Sequence, residues 1–225
     1  MVCIPHAENT MASFPLMEIP MTLNITIASY GNIGKASSAL LQQDGYLNEK
    51  EAYKCRTTWI DLDTAEHRHI AETATTDADI VVILGDNTSG DAASAAVGMT
   101  RRCAERHIPC YALLCVPKKQ EDRNPLVMSL TNTSNTLLIW QGTMPEDAMP
   151  TYLSAAVQNV LHPITGSGMI GVDYADIRTI LSCGKETLFA VAEASGENRA
   201  EMAAHAAVAQ LPELRASRGI ICNIT

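Results

Sequence analysis

The chain has 225 residues, of which 47% are hydrophobic and 18% charged, a balance that gives a buried core and excludes an intrinsically disordered chain. A formal charge of -9 and a pI near 5.1 exclude a general binder of nucleic-acid backbone or anionic lipid, both of which need a basic footprint. With only 4% aromatic residues, an aromatic platform for single-stranded nucleic acid is excluded as well.

Met1 to Met21 contains Pro5, Pro15 and Pro20 and has no lysine or arginine before its apolar patch; it reads as a flexible N-terminal segment rather than a signal peptide. One domain is expected over 22–225. Leu23 to Ser29 alternates apolar and polar residues and meets Tyr30-Gly31-Asn32-Ile33-Gly34, which reads as a strand and a glycine turn. A helix is expected from Lys35 to Gln43, a strand from Cys55 to Asp61, and a helix from Thr64 to Ala74, with Asp63 and Thr64 both able to cap it. The unbroken run Asp79 to Gly85 predicts a strand buried on both faces, as in a parallel sheet.

Asp86 to Asp91 is a polar loop, followed by an alanine-rich helix to about His107 and a buried strand from Pro109 to Val116, together a βαβ unit. Pro117 to Asn132 reads mostly as loop and Thr136 to Trp140 as a strand. A helix is expected from Pro150 to Leu161, before Pro163. Gly166 to Gly171 reads as a loop ahead of a helix opening at Asp173. A strand from Glu186 to Ala192, a helix from Glu197 to Gln210 and a last strand from Gly219 to Ile224 complete the chain. The expected fold class is α/β, a three-layer doubly wound and mostly parallel sheet.

The seven cysteines are odd in number and scattered, which reads as reduced thiols in a cytosolic core, with no zinc spacing and no metal expected. His67 and His69, two apart on a helix, point to different faces and read as solvated or half-buried. No run is long and apolar enough to span a membrane. Ser167 and Ser182 lack any context for nucleophilic catalysis.

From Ala156 onward the sequence says more. Ala156-Val-Gln-Asn-Val-Leu161, then Gly168-Met-Ile-Gly-Val-Asp-Tyr-Ala-Asp-Ile-Arg-Thr-Ile-Leu181, Ala194-Ser-Gly-Glu-Asn-Arg-Ala-Glu201 and Arg218-Gly-Ile-Ile-Cys-Asn-Ile-Thr225 together resemble the central helix, assembly loop and following elements of the FtsZ/tubulin family. The resemblance implies an FtsZ-like nucleotide-binding domain with the start of a missing or truncated second domain. It also implies a cytoplasmic, cytoskeletal protein of the cell-division type that polymerises with itself or another FtsZ/tubulin-type subunit.

In that family a GTPase is split between subunits, and Asp173 and Asp176 match the acidic positions that act on a neighbour's nucleotide. Carboxylates suit that role because an attacking water must be oriented beside the terminal phosphate. Asp173 also stands where an N-cap belongs, with Asp176 three residues later, so helix capping alone is the rival reading. Where the family has an asparagine two residues before the first aspartate, this chain has Gly171.

The implied ligand is GTP or GDP, with or without Mg2+, held weakly or not at all. Its expected phosphate contacts are Gly31, Asn32, Gly34, Thr88, Ser89 and Gly90, since glycines let backbone N–H groups approach an anion at a helix N-terminus. A plain tight turn is the rival reading of Gly31 to Gly34. Against phosphate stand Asp86 and Asp91, like charges in the loop that should wrap it. The guanine-recognising Asn-Asp pair of the family falls on Pro150-Thr151 here. Two functions follow: a weak GTPase that assembles with like subunits, or a non-enzymatic FtsZ-like partner with a degenerate pocket.

Overall fold

The computed structural model describes residues 22–45, 47, 54–88, 90–117, 123–140, 144–165, 172–183, 186–211 and 217–224. The expected N-terminal segment 1–21 and the loop 166–171 lie outside them. Six strands form one parallel sheet: β1 (Thr22–Ser29), β2 (Lys54–Asp61), β3 (Ile80–Gly85), β4 (Cys110–Val116), β5 (Asn135–Trp140) and β6 (Glu186–Thr187). Their spatial order is β2-β1-β3-β4-β5-β6, and every pairing is parallel, with Ile25 opposite Ile80 and Val82 opposite Tyr111.

Among the described residues there are seven α-helices, the first six between strands and the last after β6: α1 (Gly31–Gln43), α2 (Ala65–Ala74), α3 (Asp91–Arg106), α4 (Pro125–Thr133), α5 (Met149–Thr165), α6 (Tyr174–Ser182) and α7 (Arg199–Val208). The period of two along β3 explains the layers. Ile80, Val82 and Leu84 enter a core with Ile33 and Leu41 of α1, Leu153 and Val157 of α5, and Ile177 of α6. Val81 and Ile83 point the other way, to Ala71 of α2, Ala92, Ala93, Ala96 and Met99 of α3, and Val127 of α4. Both faces of the sheet are thus covered, which is why β3 carries no polar residue.

Chain order reverses between β1 and β3: the chain leaves β1 over one face through α1 and returns to β3 over the other through α2. In a doubly wound sheet this switch point opens a crevice at the C-terminal strand ends. Residues 30–34 and 84–86 meet there.

Four expectations are corrected. Helix α1 starts at Gly31, not Lys35, because Tyr30 is extended and the helix begins at the residue after it. The stretch Pro117 to Asn132, read as mostly loop, contains α4; the Asn124 side chain accepts from the Val127 N–H at 2.9 Å and Pro125 opens the first turn. Helix α5 continues through Pro163 to Thr165. Proline removes a backbone donor, but Ile164 and Thr165 are buried and the Thr165 hydroxyl donates to the Leu161 carbonyl at 3.0 Å.

The fourth concerns the C-terminal third. The strand expected over Glu186 to Ala192 is two residues long, because the Phe189 carbonyl accepts from the Tyr152 hydroxyl at 2.6 Å and the Phe189 ring meets the Tyr152 ring edge-on at 4.9 Å. Beyond it α7 has no buried residue, and the strand expected at Gly219 to Ile224 is reduced to a single bridge at Ile220.

Gly34 is where α1 and β3 come closest. A Cβ there would lie 2.4 Å from the Leu84 carbonyl oxygen and 3.0 Å from the Gly85 Cα. Because both neighbours are backbone, Gly34→Ala is expected to destabilise the domain by about 1–3 kcal/mol, read as a lower urea midpoint with an unchanged denaturant slope.

Candidate functional site

At the C-terminal end of the sheet, α1 begins with Gly31 at φ +69°, and its backbone N–H groups point out of the first turn. A helix start leaves such donors without intrahelical partners. Two carboxylates take two of them. The Gly31 N–H donates to Asp63 Oδ2 at 3.2 Å, and the Ile33 N–H donates to Asp86 Oδ2 at 3.4 Å. Asp63 comes from the turn after β2, which is fixed by its own N–H donating to Asp61 Oδ1 at 3.0 Å and by Arg68 donating to the Leu62 and Asp63 carbonyls at 3.2 Å. Next to it the Asp61 N–H donates to His67 Nδ1 at 3.0 Å, so that ring is half-buried.

Asp86 follows the last residue of β3 and is buried. Its other oxygen accepts from the Thr88 N–H at 2.8 Å and from the Thr88 hydroxyl. The loop is tied on its far side to α4, where the Asn124 side chain donates to the Asn87 carbonyl at 2.7 Å and the Asn124 N–H donates to Asn87 Oδ1 at 3.1 Å. Lys35, one turn into α1, pairs with Asp63 at 2.8 Å. Hydrogen bonding to that carboxylate, and then its charge, hold the ammonium above its ordinary range.

Tyr30 precedes the helix and is fully buried against Gly85, where a Cβ would lie 2.3 Å from the ring. Burial, with the charge of Asp86 in second place, pushes the phenol above its usual range. Its hydroxyl is buried without a hydrogen-bond partner.

The predicted contact residues divide. Gly31 and Thr88 are brought together by Asp86. Asn32 is exposed on the first turn of α1, and Gly34 is spent on packing against β3. Gly90 precedes α3 at φ +117° with open space around it. Ser89 lies outside the described residues. Asp91, at the start of α3, pairs with Arg68 at 3.5 Å. Sequence reasoning weighed Asp63 only as a helix cap; its position after a strand that neighbours β1 is visible only in the sheet order. As these side chains stand, two donors of the α1 start, the Gly31 and Ile33 N–H groups, already end on carboxylates.

Asp173 and Asp176 lie at the opposite end of the sheet. Asp173 caps α6: its Oδ1 accepts from the Asp176 N–H at 2.9 Å, while Asp176 Oδ2 accepts from the Asp173 N–H at 3.2 Å. This reciprocal pair is a capping box with aspartate in both places. The helix is held across the N-terminal strand ends. The Tyr174 hydroxyl donates to the Asp79 carbonyl before β3 at 2.5 Å, Arg178 to the His107 carbonyl before β4 at 3.4 Å, and Asn135 of β5 to the Leu181 carbonyl at 2.8 Å. Asp173 is exposed and Asp176 half-buried.

Among the described residues, no group of three or more His, Cys, Asp or Glu is arranged to hold a metal ion, and no helix is long and apolar enough to cross a membrane. Cys55, Cys103, Cys110 and Cys115 are buried free thiols, Cys183 is half-buried, and Cys222 is exposed.

No family model matches the chain. Cell division protein FtsZ of Coxiella burnetii is 40% identical over 77 residues, covering 32% of this chain and 20% of that protein. FtsZ of Pseudomonas aeruginosa is 38% identical over the same extent. The match therefore spans a fifth of the length of these curated relatives. Among solved structures, an FtsZ variant from M. jannaschii superimposes with a TM-score of 0.68 over 84% of this chain and 71% of that one, at 16% identity. TubZ of Clostridium botulinum phage c-st gives 0.52 over 83% and 74%, at 11% identity. The fold is that of the FtsZ/tubulin proteins, and a third of the sequence is similar to FtsZ.

Tyr174 joins the capping box to the base of β3. Burial pushes its phenol up to about 12. An ordinary tyrosine titrates near 10 in the unfolded chain, so this contribution is complete below pH ~10 and is lost as pH rises toward ~12. Tyr174→Phe is expected to lower stability by about 1 kcal/mol near neutral pH and to flatten the fall in melting temperature between those two pH values, checked by calorimetry across the range.

Proposed function

We propose that this chain is an FtsZ/tubulin-like subunit that docks the Asp173 end of α6 onto the switch-point end of another subunit of the same fold, and that it does so as a partner without bound nucleotide. The observation that supports the reading is the separation of the two ends. Asp79, which anchors Tyr174, and Asp86, which closes the crevice, stand on either side of β3, so the six residues of that strand hold the two ends about 20 Å apart. Within one molecule the α6 carboxylates cannot reach the crevice. Two copies, or one copy and an FtsZ subunit, bring the ends together in a head-to-tail contact, which is heterologous and extends as a filament or caps one.

The chemistry of the exposed end fits such a contact. Asp173 and Asp176 present net negative charge on a helix start whose own dipole they already satisfy. Their rigid mutual hydrogen bonds fix the carboxylates before docking, which lowers the entropy lost on association.

A weak GTPase acting through Asp173 and Asp176 is the second reading, favoured by the meeting of Gly31 and Thr88 at the crevice. It requires Asp63 and Asp86 to release the first turn of α1. Titration calorimetry with GTP and GDP, with and without Mg2+, decides between the two: micromolar guanine-selective binding sinks the partner reading.

Asp173→Asn is the discriminating variant, since asparagine caps a helix about as well as aspartate and changes stability by only a few tenths of a kcal/mol. Co-sedimentation with assembled FtsZ is expected to fall severalfold for Asp173→Asn at an unchanged melting temperature. Failure of the unmodified chain to associate either with itself or with FtsZ in analytical ultracentrifugation would remove the proposal.

A further inference from the structure

We infer that Asp63 and Asp86 are built-in anions: their carboxylates organise the start of α1 as a bound phosphate would, so the switch-point crevice holds its shape without one. The inference rests on reading this crevice as the phosphate end of an FtsZ/tubulin fold, and it goes beyond that reading by naming what stands in the phosphate's place.

Three observations carry it. The donors come from one helix start, but the acceptors come from two different strand ends, Asp63 after β2 and Asp86 after β3. The carboxylates therefore join three elements around α1, as a ligand between loops does, rather than capping the helix locally. Next, Gly31 has room for no side chain. An ideal Cβ would fall 2.2 Å from Asp86 Oδ1 and 2.3 Å from Oδ2. The carboxylate fills the space against the bare backbone where an incoming oxyanion would need to rest.

The third observation is charge. The α1 start and the Lys35 ammonium are positive features of the crevice that these two acids already match, and a third, Arg68, pairs with Asp91. Asp86 is buried, and a buried carboxylate is tolerated only when hydrogen bonds replace its water. It has three donors, the Ile33 N–H, the Thr88 N–H and the Thr88 hydroxyl. A phosphate entering beside them would meet two like charges and no spare donor among those named. The fully buried Tyr30 hydroxyl under Gly85 has no hydrogen-bond partner among the described residues.

The test is chemical rescue on the full chain, with inorganic pyrophosphate as probe and sulfate at equal ionic strength as control. For the unmodified protein, millimolar pyrophosphate is expected to move the melting temperature by less than about 1 °C relative to sulfate. The double variant Asp63→Ala, Asp86→Ala is expected to melt lower and to recover by about 3–6 °C with pyrophosphate. Should the double variant fail to fold, Asp63→Ala alone changes only an exposed residue, frees the Gly31 N–H and Lys35, and is expected to respond in the same direction.

Stabilisation of the unmodified chain as large as that of the variant would overturn the inference, since the crevice would then be open. A folded variant indifferent to pyrophosphate would overturn it equally. Neither result depends on subunit docking, so loss of FtsZ association would strike the proposed function while leaving this measurement intact.

Discussion

The carboxylate of Asp86 is the point on which the C-terminal edge of this sheet depends. It leaves the end of the most buried strand, β3, and in two steps joins that strand to the first turn of α1 and to its own following loop. An unpaired buried charge costs several kcal/mol, so the position of Ile33, Thr88 and the bare backbone of Gly31 is set by the need to satisfy it. Asp63 completes the arrangement from the turn after β2, on the far side of β1, with Lys35 returning the charge balance at 2.8 Å.

The parallel sheet turns this local chemistry into a polar molecule. All strands point the same way, so the loops after the strands gather at one end and those before them at the other. The acids of α6 belong to the second end, fixed to the residues preceding β3 and β4 by Tyr174 and Arg178. A rigid core of Ile, Val and Leu lies between. Such a body has two dissimilar ends, the geometric requirement for head-to-tail contact.

Much of this was legible along the chain. β3 was legible as an uninterrupted Ile, Val and Leu run and β4 as the apolar run Cys110 to Val116, because a strand buried on both faces has little place for a polar residue. The capping box of α6 was legible as Asp173 and Asp176 three apart. Failures concentrated where neighbours outvoted local pattern. Pro163 did not end α5, since burial of Ile164 and Thr165 outweighs one missing backbone donor. The apolar run Leu188 to Ala192 did not extend β6, since its backbone is engaged by Tyr152.

The sequence by itself determined the alternation of strands and helices and the parallel sheet, because periodicity and burial are written residue by residue, while the likeness to FtsZ was carried by the particular residues from Ala156 onward. It placed a glycine turn beside an acid-bearing loop but left open whether the two would meet a phosphate. Only the tertiary structure decided that Asp63 and Asp86, 32 and 53 residues beyond their partners in α1, converge on one helix start. That convergence is fixed by strand order, β1 lying between β2 and β3, and strand order is a property of the packed sheet rather than of any local run of residues.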